Sequence, residues 1–175
     1  MKGTMIKMIK FTFPDETHKQ DVLDFYAEFE KAGEICIGYA GHEDYPAWLQ
    51  EKRNRKEGRD LPEGWVRENF YLCYEGSRLV GVFSLKFELT EYLLNYGGHI
   101  GYAVRRSERN KGLASEMLEQ GLRQARSFGL KRVLAVCDEG NYASQRVVAK
   151  NNGVFENKMF DAEENVYVNR FWIEL

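Results

Sequence analysis

The sequence predicts one α/β domain (1–175) built on a mixed central β-sheet with helices on both faces, and three observations carry that prediction. Short stretches of alternating apolar residues recur along the chain, the pattern of half-buried strands. Two longer stretches, near 17–33 and 111–128, instead space their apolar residues for one face of a helix. These segments interleave in the order β-α-α-β-β-β-α-β-α-β-β, with no repeat, low-complexity segment or linker between them.

In chain order, "IKMIKFTF" (6–13) alternates and is rich in Ile and Phe, so it reads as a strand. After Pro14, Val22, Phe25, Tyr26 and Phe29 fall at helical spacing, with Thr17 as the expected N-cap and Gly33 as the stop. A second helix covers roughly 44–57, anchored by Trp48 and Leu49. The overlapping "RNRKEGRDLPEG" mixes charge with Gly and Pro and reads as an exposed loop. "NFYLCYEGSRLVGVFSLKFEL" is two strands around the tight turn "EGS". "GGHIGYAV" (97–104) is a short apolar strand. From 111 to 128, Leu113, Ala114, Met117, Leu118, Leu122, Ala125 and Phe128 form one continuous helical face, closed by Gly129. "KRVLAVCD" is a buried strand, 142–151 a short helix stopped by "NNG", and the tail is two strands around an acidic turn.

Composition narrows the function. The 175 residues suffice to bury a core without staples, and 43% of them are hydrophobic. A net charge of -2 gives no footprint for nucleic acid. Cys36, Cys73 and Cys137 fit neither a disulfide framework nor metal spacing, so a reducing cytoplasm is expected and no metal is. Lysines interrupt the apolar residues of "MKGTMIKMIKF", and no run approaches membrane-spanning length. An intracellular protein without a membrane partner is expected. Exposed strands or the C-terminal hairpin could carry a homodimer.

The chemistry concentrates in "RRSERNKGLAS", between the strand 97–104 and its following helix. A helix start offers unpaired N–H donors and the positive end of the dipole, a ready site for an anion. Gly112 and Ala114 leave the backbone accessible there, and Arg109 adds a forked cation. The pattern R/Q-x-x-G-x-G/A also suits tight helix–strand packing alone. It is neither a dinucleotide fingerprint nor a Walker loop.

"IGYAVRRSERNKGLASEML" resembles the acetyl-CoA-binding motif of the GCN5-related N-acetyltransferases, the GNAT superfamily, and "NYASQRVVAKNNGVF" is similar to that family's second CoA-side motif. The resemblance extends to the element order over 6–174. It implies a GNAT-like sheet with a splayed strand pair, and acetyl-CoA as co-substrate without a metal. It also implies backbone groups of Tyr102, Ala103 and Val104 free to pair with the pantetheine arm. Amides across Asn110, Lys111, Gly112, Leu113, Ala114 and Ser115 would then cradle the pyrophosphate beside Arg109, with Asn141 steadying the pantetheine and Ser144 nearby. Arg106 and Asn110 depart from the family's usual proline and glycine.

The implied reaction is acetyl transfer to a primary amine of a small molecule, protein or peptide by direct attack in a ternary complex. Such an amine must lose a proton, and the departing thiolate must gain one. For the base, strand ends offer His99 ahead of Glu88, with Asp138 and Glu139 also at a strand end. For the acid, many relatives carry a tyrosine where this chain has Val148, which leaves Tyr142, Ser144 or a water held by Ser144. That valine keeps an alternative open: a CoA-binding sensor without turnover.

Overall fold

The computed structural model of the protein describes residues 8–175, so Ile6 and Lys7 of the expected first strand lie outside the described residues. Strand β1 is Ile9–Thr12. A single helical turn at Glu16–His18 then leads into α1 (Lys19–Lys31). The cap of that turn is Asp15 and not Thr17. Its carboxylate accepts the Thr17 N–H at 2.8 Å, and an Asp one step before the turn is well placed to satisfy these unpaired donors. Helix α2 (Tyr45–Glu57) is capped by Asp44 and includes Arg53–Glu57, so the expected charged loop begins as helix.

Strands β2 (Glu68–Glu75) and β3 (Arg78–Lys86) form the expected hairpin around Gly76 and Ser77. Then come β4 (Ile100–Val104), α3 (Leu113–Ser127), β5 (Arg132–Asp138), α4 (Tyr142–Lys150), β6 (Val154–Asp161) and β7 (Val166–Glu174). The order is the predicted one. A wide helical turn at Leu93–Gly97, which lacks the length for a periodic signal, was not legible.

The strands pair antiparallel in two sheets, β1-β2-β3-β4 and β5-β7-β6. Strand β2 explains why the first sheet needs helices on both faces. Phe70, Leu72 and Tyr74 pack into one core with Val22, Phe25, Tyr26 and Phe29 of α1 and Trp48 of α2. Tyr71 and Cys73 point the other way, into a second core with Met117, Leu118 and Ala125 of α3. Burial of each large side chain contributes about 1.5–3 kcal/mol, so both faces drive the fold. Phe171 and Ile173 of β7 enter the α3 core and tie the second sheet to it.

Helix α3 approaches the first sheet at Gly121. A Cβ there would stand 2.0 Å from the Phe83 ring, so only glycine permits this contact.

Candidate active site

The ladder of hydrogen-bonded strands stops between β4 and β5. On one side β4 pairs with β3, Gly81 facing Val104 and Ser84 facing Gly101; its other edge lies toward β5 but joins no strand ladder among the described residues. A chain of peptide-like groups has room to add itself there. Two cavities, of about 630 and 280 Å3, lie along this opening.

The larger cavity gathers most of the expected cofactor residues. Tyr102, Ala103, Val104, Arg109, Asn110, Gly112, Leu113, Ala114, Ser115, Asn141 and Ser144 all line it. Lys111 does not; its Nζ turns to the Glu108 carboxylate at 2.6 Å. The loop before α3 is shaped by two left-handed residues, Asn110 at φ 63° and Gly112 at φ 80°. Gly112 sits directly before the first helical residue, where a helix leaves its first N–H groups without intrahelical partners; here the Ser115 N–H reaches back to the Gly112 carbonyl at 3.2 Å. No neighbouring atom lies within 4 Å of a Cβ built on Gly112, so its need is for the left-handed turn and an open approach, not for close packing.

Arg146 and Lys150 of α4 add cations to the same wall. Glu34, from the loop after α1, also reaches the cavity, where its carboxylate bonds Arg106 and accepts from Arg109 Nη2 at 2.8 Å. Arg109 also lies over the Phe29 ring.

The two cavities share Tyr102, Asn141 and Ser144. The Ser144 hydroxyl stands 2.8 Å from the Tyr102 hydroxyl and 3.2 Å from Cys137 Sγ. Asn141 caps α4, its Oδ1 accepting the Ser144 N–H at 3.1 Å, which fixes where that serine points. Burial pushes Tyr102 up to about 12, partly opposed by the Ser144 hydrogen bond, so its O–H remains a proton donor at neutral pH. Burial likewise raises the Cys137 thiol, which stays protonated and poorly nucleophilic. Val148, at the position where the family resemblance implies a tyrosine, is fully buried, and the hydroxyls at the junction come from β4 and the first turn of α4 instead. Tyr102 was expected to offer only backbone, because nothing in a short strand's sequence says which side chain meets the opening.

Both bases proposed from sequence are displaced. His99 is 8% exposed and lines neither cavity; its Nδ1 accepts the Leu134 N–H at 2.9 Å, and burial first, then Lys86 and Arg132, push its pKa down to about 4. Glu88 lies two residues past the end of β3, is exposed, and lines neither cavity. The carboxylate that does line the smaller cavity is Asp138, at the end of β5. Lys86 of β3 lines it too, and was not singled out by its sequence context. Glu30, His42 and Glu43 bring potential metal-ligand atoms within 4.8 Å of one another, but none of the three lines either cavity. No helix among the described residues is long and apolar enough to cross a membrane.

Solved structures share this architecture. An acetyltransferase from Salmonella typhimurium that modifies the N-terminal serine of ribosomal protein L7/L12 superposes with a TM-score of 0.73 at 20% identity, over 96% of this chain and 95% of its own. The microcin C7 self-immunity acetyltransferase MccE, solved with acetyl-CoA and AMP, gives 0.73 at 13% identity, over 96% and 93%. RimJ of Mycobacterium smegmatis, in complex with CoA-disulfide, gives 0.75 at 15% identity, over 95% and 81%. At such identities the likeness establishes the fold. No curated protein sequence matches the chain. The family model described as an acetyltransferase (GNAT) domain matches residues 9–154, most of the chain, and the protein belongs to that family.

Proposed function

We propose that this acetyltransferase passes the acetyl group of acetyl-CoA directly to a primary amine, both substrates meeting in the opening between β4 and β5. The observation that carries the reading is the joining of two cavities at one hydroxyl pair, Tyr102 and Ser144. The larger cavity takes acetyl-CoA. Its pantetheine lies along the free edge of β4 at Tyr102, Ala103 and Val104, beside Asn141. Its phosphates meet the amides from Asn110 and Lys111 through Gly112, Leu113 and Ala114 to Ser115, with Arg109 adding charge.

The acetyl carbon then lies at the junction. The amine nitrogen bonds to it while the C–S bond breaks, and holding both reactants in register lowers the barrier by several kcal/mol. Asp138 takes the amine's proton, directly or through one water. Ser144 Oγ, backed by the Tyr102 O–H, gives a proton to the departing thiolate. A backbone N–H near Val104 faces the oxygen that gains charge. Every group in this scheme comes from one chain. The free thiols Cys36, Cys73 and Cys137 suit a reducing cytoplasm.

Thermal melting with acetyl-CoA, against ATP as control, tests the cofactor site, and thiol release with an amine panel tests transfer. A selective rise in Tm followed by thiol release supports the reading. A rise without release from any amine makes the chain a CoA sensor, and no rise at millimolar ligand overturns the site.

A further inference from the structure

The smaller cavity has two formally charged wall residues among those described, Lys86 from β3 and Asp138 from β5. Their strands flank β4, so a positive and a negative group face one small space from opposite sides. Lys86 is the unusual one, because its side chain is only 17% exposed and its compensation is incomplete. It sits opposite Glu68 across the hairpin, with Nζ 3.7 Å from Glu68 Oε2, beyond hydrogen-bond reach. The same oxygen is already held by Arg55 Nη2 at 2.5 Å. Lys52 and Arg55 share Glu51 on the neighbouring turn. Lys52, Arg55 and Lys86 thus outnumber Glu51 and Glu68 in a poorly solvated ion cluster of which Lys86 alone lines the smaller cavity, and a surplus charge there is costly unless an anion joins it.

We propose that the smaller cavity is the acceptor pocket and that it takes a small amine carrying its own carboxylate, of free amino-acid type. The carboxylate sits on Lys86, while the amine faces Asp138 and the Tyr102–Ser144 pair. This rests on the acetyl-transfer reading and names its substrate class. The volume of about 280 Å3 lies at the small end of ligand pockets and suits an amino-acid-sized molecule better than a length of polypeptide. Polyamines, which bring more positive charge and no carboxylate, meet repulsion from Lys86 instead.

The test pairs each free amino acid with its amide, and adds a polyamine and short peptides, with acetyl-CoA and thiol detection throughout. The wild type should show kcat/KM for the acids roughly tenfold or more above the amides, the scale of one charged hydrogen bond. Lys86→Met should bring that ratio toward one, and Lys86→Arg should restore much of it; Glu68 keeps Arg55 as partner in both variants. Amides or polyamines accepted as well as the acids, or peptides preferred over every free amino acid, would overturn the proposal while acetyl transfer stands. Thiol release from no amine, with or without an acetyl-CoA melting shift, overturns both.

Discussion

His99 and Leu134 hold each other twice: the His99 N–H donates to the Leu134 carbonyl at 2.9 Å, and the Leu134 N–H donates to His99 Nδ1 at 2.9 Å. One residue's backbone and ring together do what a strand ladder would do, at the point where β4 and β5 begin to part. The acceptor role of Nδ1 puts the ring proton on Nε2. The His99 carbonyl meanwhile accepts from Lys86 on β3, so the residue links three strands.

This staple makes stability depend on pH in a defined window. Burial, then the Lys86 and Arg132 cations, lower the His99 pKa from 6.5 to about 4. The unfolded chain therefore binds this proton at higher pH than the native state does. The stabilisation from neutral His99 is complete above pH 6.5 and is lost as pH falls from there to about 4, a loss on the order of 3 kcal/mol. Denaturant unfolding at pH 7 and pH 4.5 should show a smaller acid loss in His99→Gln than in wild type. An equal loss in the two proteins would sink the staple.

Ser144 and Tyr102 should separate chemistry from binding. Ser144→Ala removes the hydroxyl but keeps the N–H that Asn141 caps, so α4 and the acetyl-CoA melting shift should persist. If Ser144 protonates the thiolate, kcat falls about 10²-fold or more. Tyr102→Phe should fall less, since it only backs that serine. A kcat for Ser144→Ala within threefold of wild type would remove it from the reaction.

How much of this was legible follows from what local sequence can encode. The apolar spacing of Val22, Phe25, Tyr26 and Phe29 fixes a helix face whatever it packs on, and all four are buried as predicted. The helix start after Gly112 was readable too, because an apolar helical face is a local feature, while the left-handed turns at Asn110 and Gly112 were not read. His99 misled for the opposite reason. Its intrinsic pKa suggests a base, but the Leu134 N–H that occupies its Nδ1 comes from 35 residues away. Lys86 and Asp138 come together only because two strands diverge, a property of no single segment.

Gly121 is a case where propensity alone gives the wrong sign. Alanine favours a helix interior over glycine by roughly 1 kcal/mol. Here the added methyl would meet the Phe83 ring at 2.0 Å, and overpacking a dense core costs about 1–3 kcal/mol. Gly121→Ala should therefore lower Tm, and a raised Tm would show that α3 can shift away from the sheet.

Gly112 bears most directly on the cofactor site. Its φ of 80° makes any side chain cost about 1 kcal/mol, yet nothing within 4 Å obstructs one. Gly112→Glu and Gly112→Gln should thus fold with similarly lowered Tm, because they share shape and differ in charge. Only the glutamate sets a negative group where phosphates are expected at the start of α3, against the N–H donors and Arg109. Its acetyl-CoA melting shift should vanish, while the glutamine variant keeps a measurable one. If both variants lose the shift equally, bulk and not charge governs the position. If both keep the full wild-type shift, the phosphates lie elsewhere, and Gly112 serves only to turn the chain into its helix.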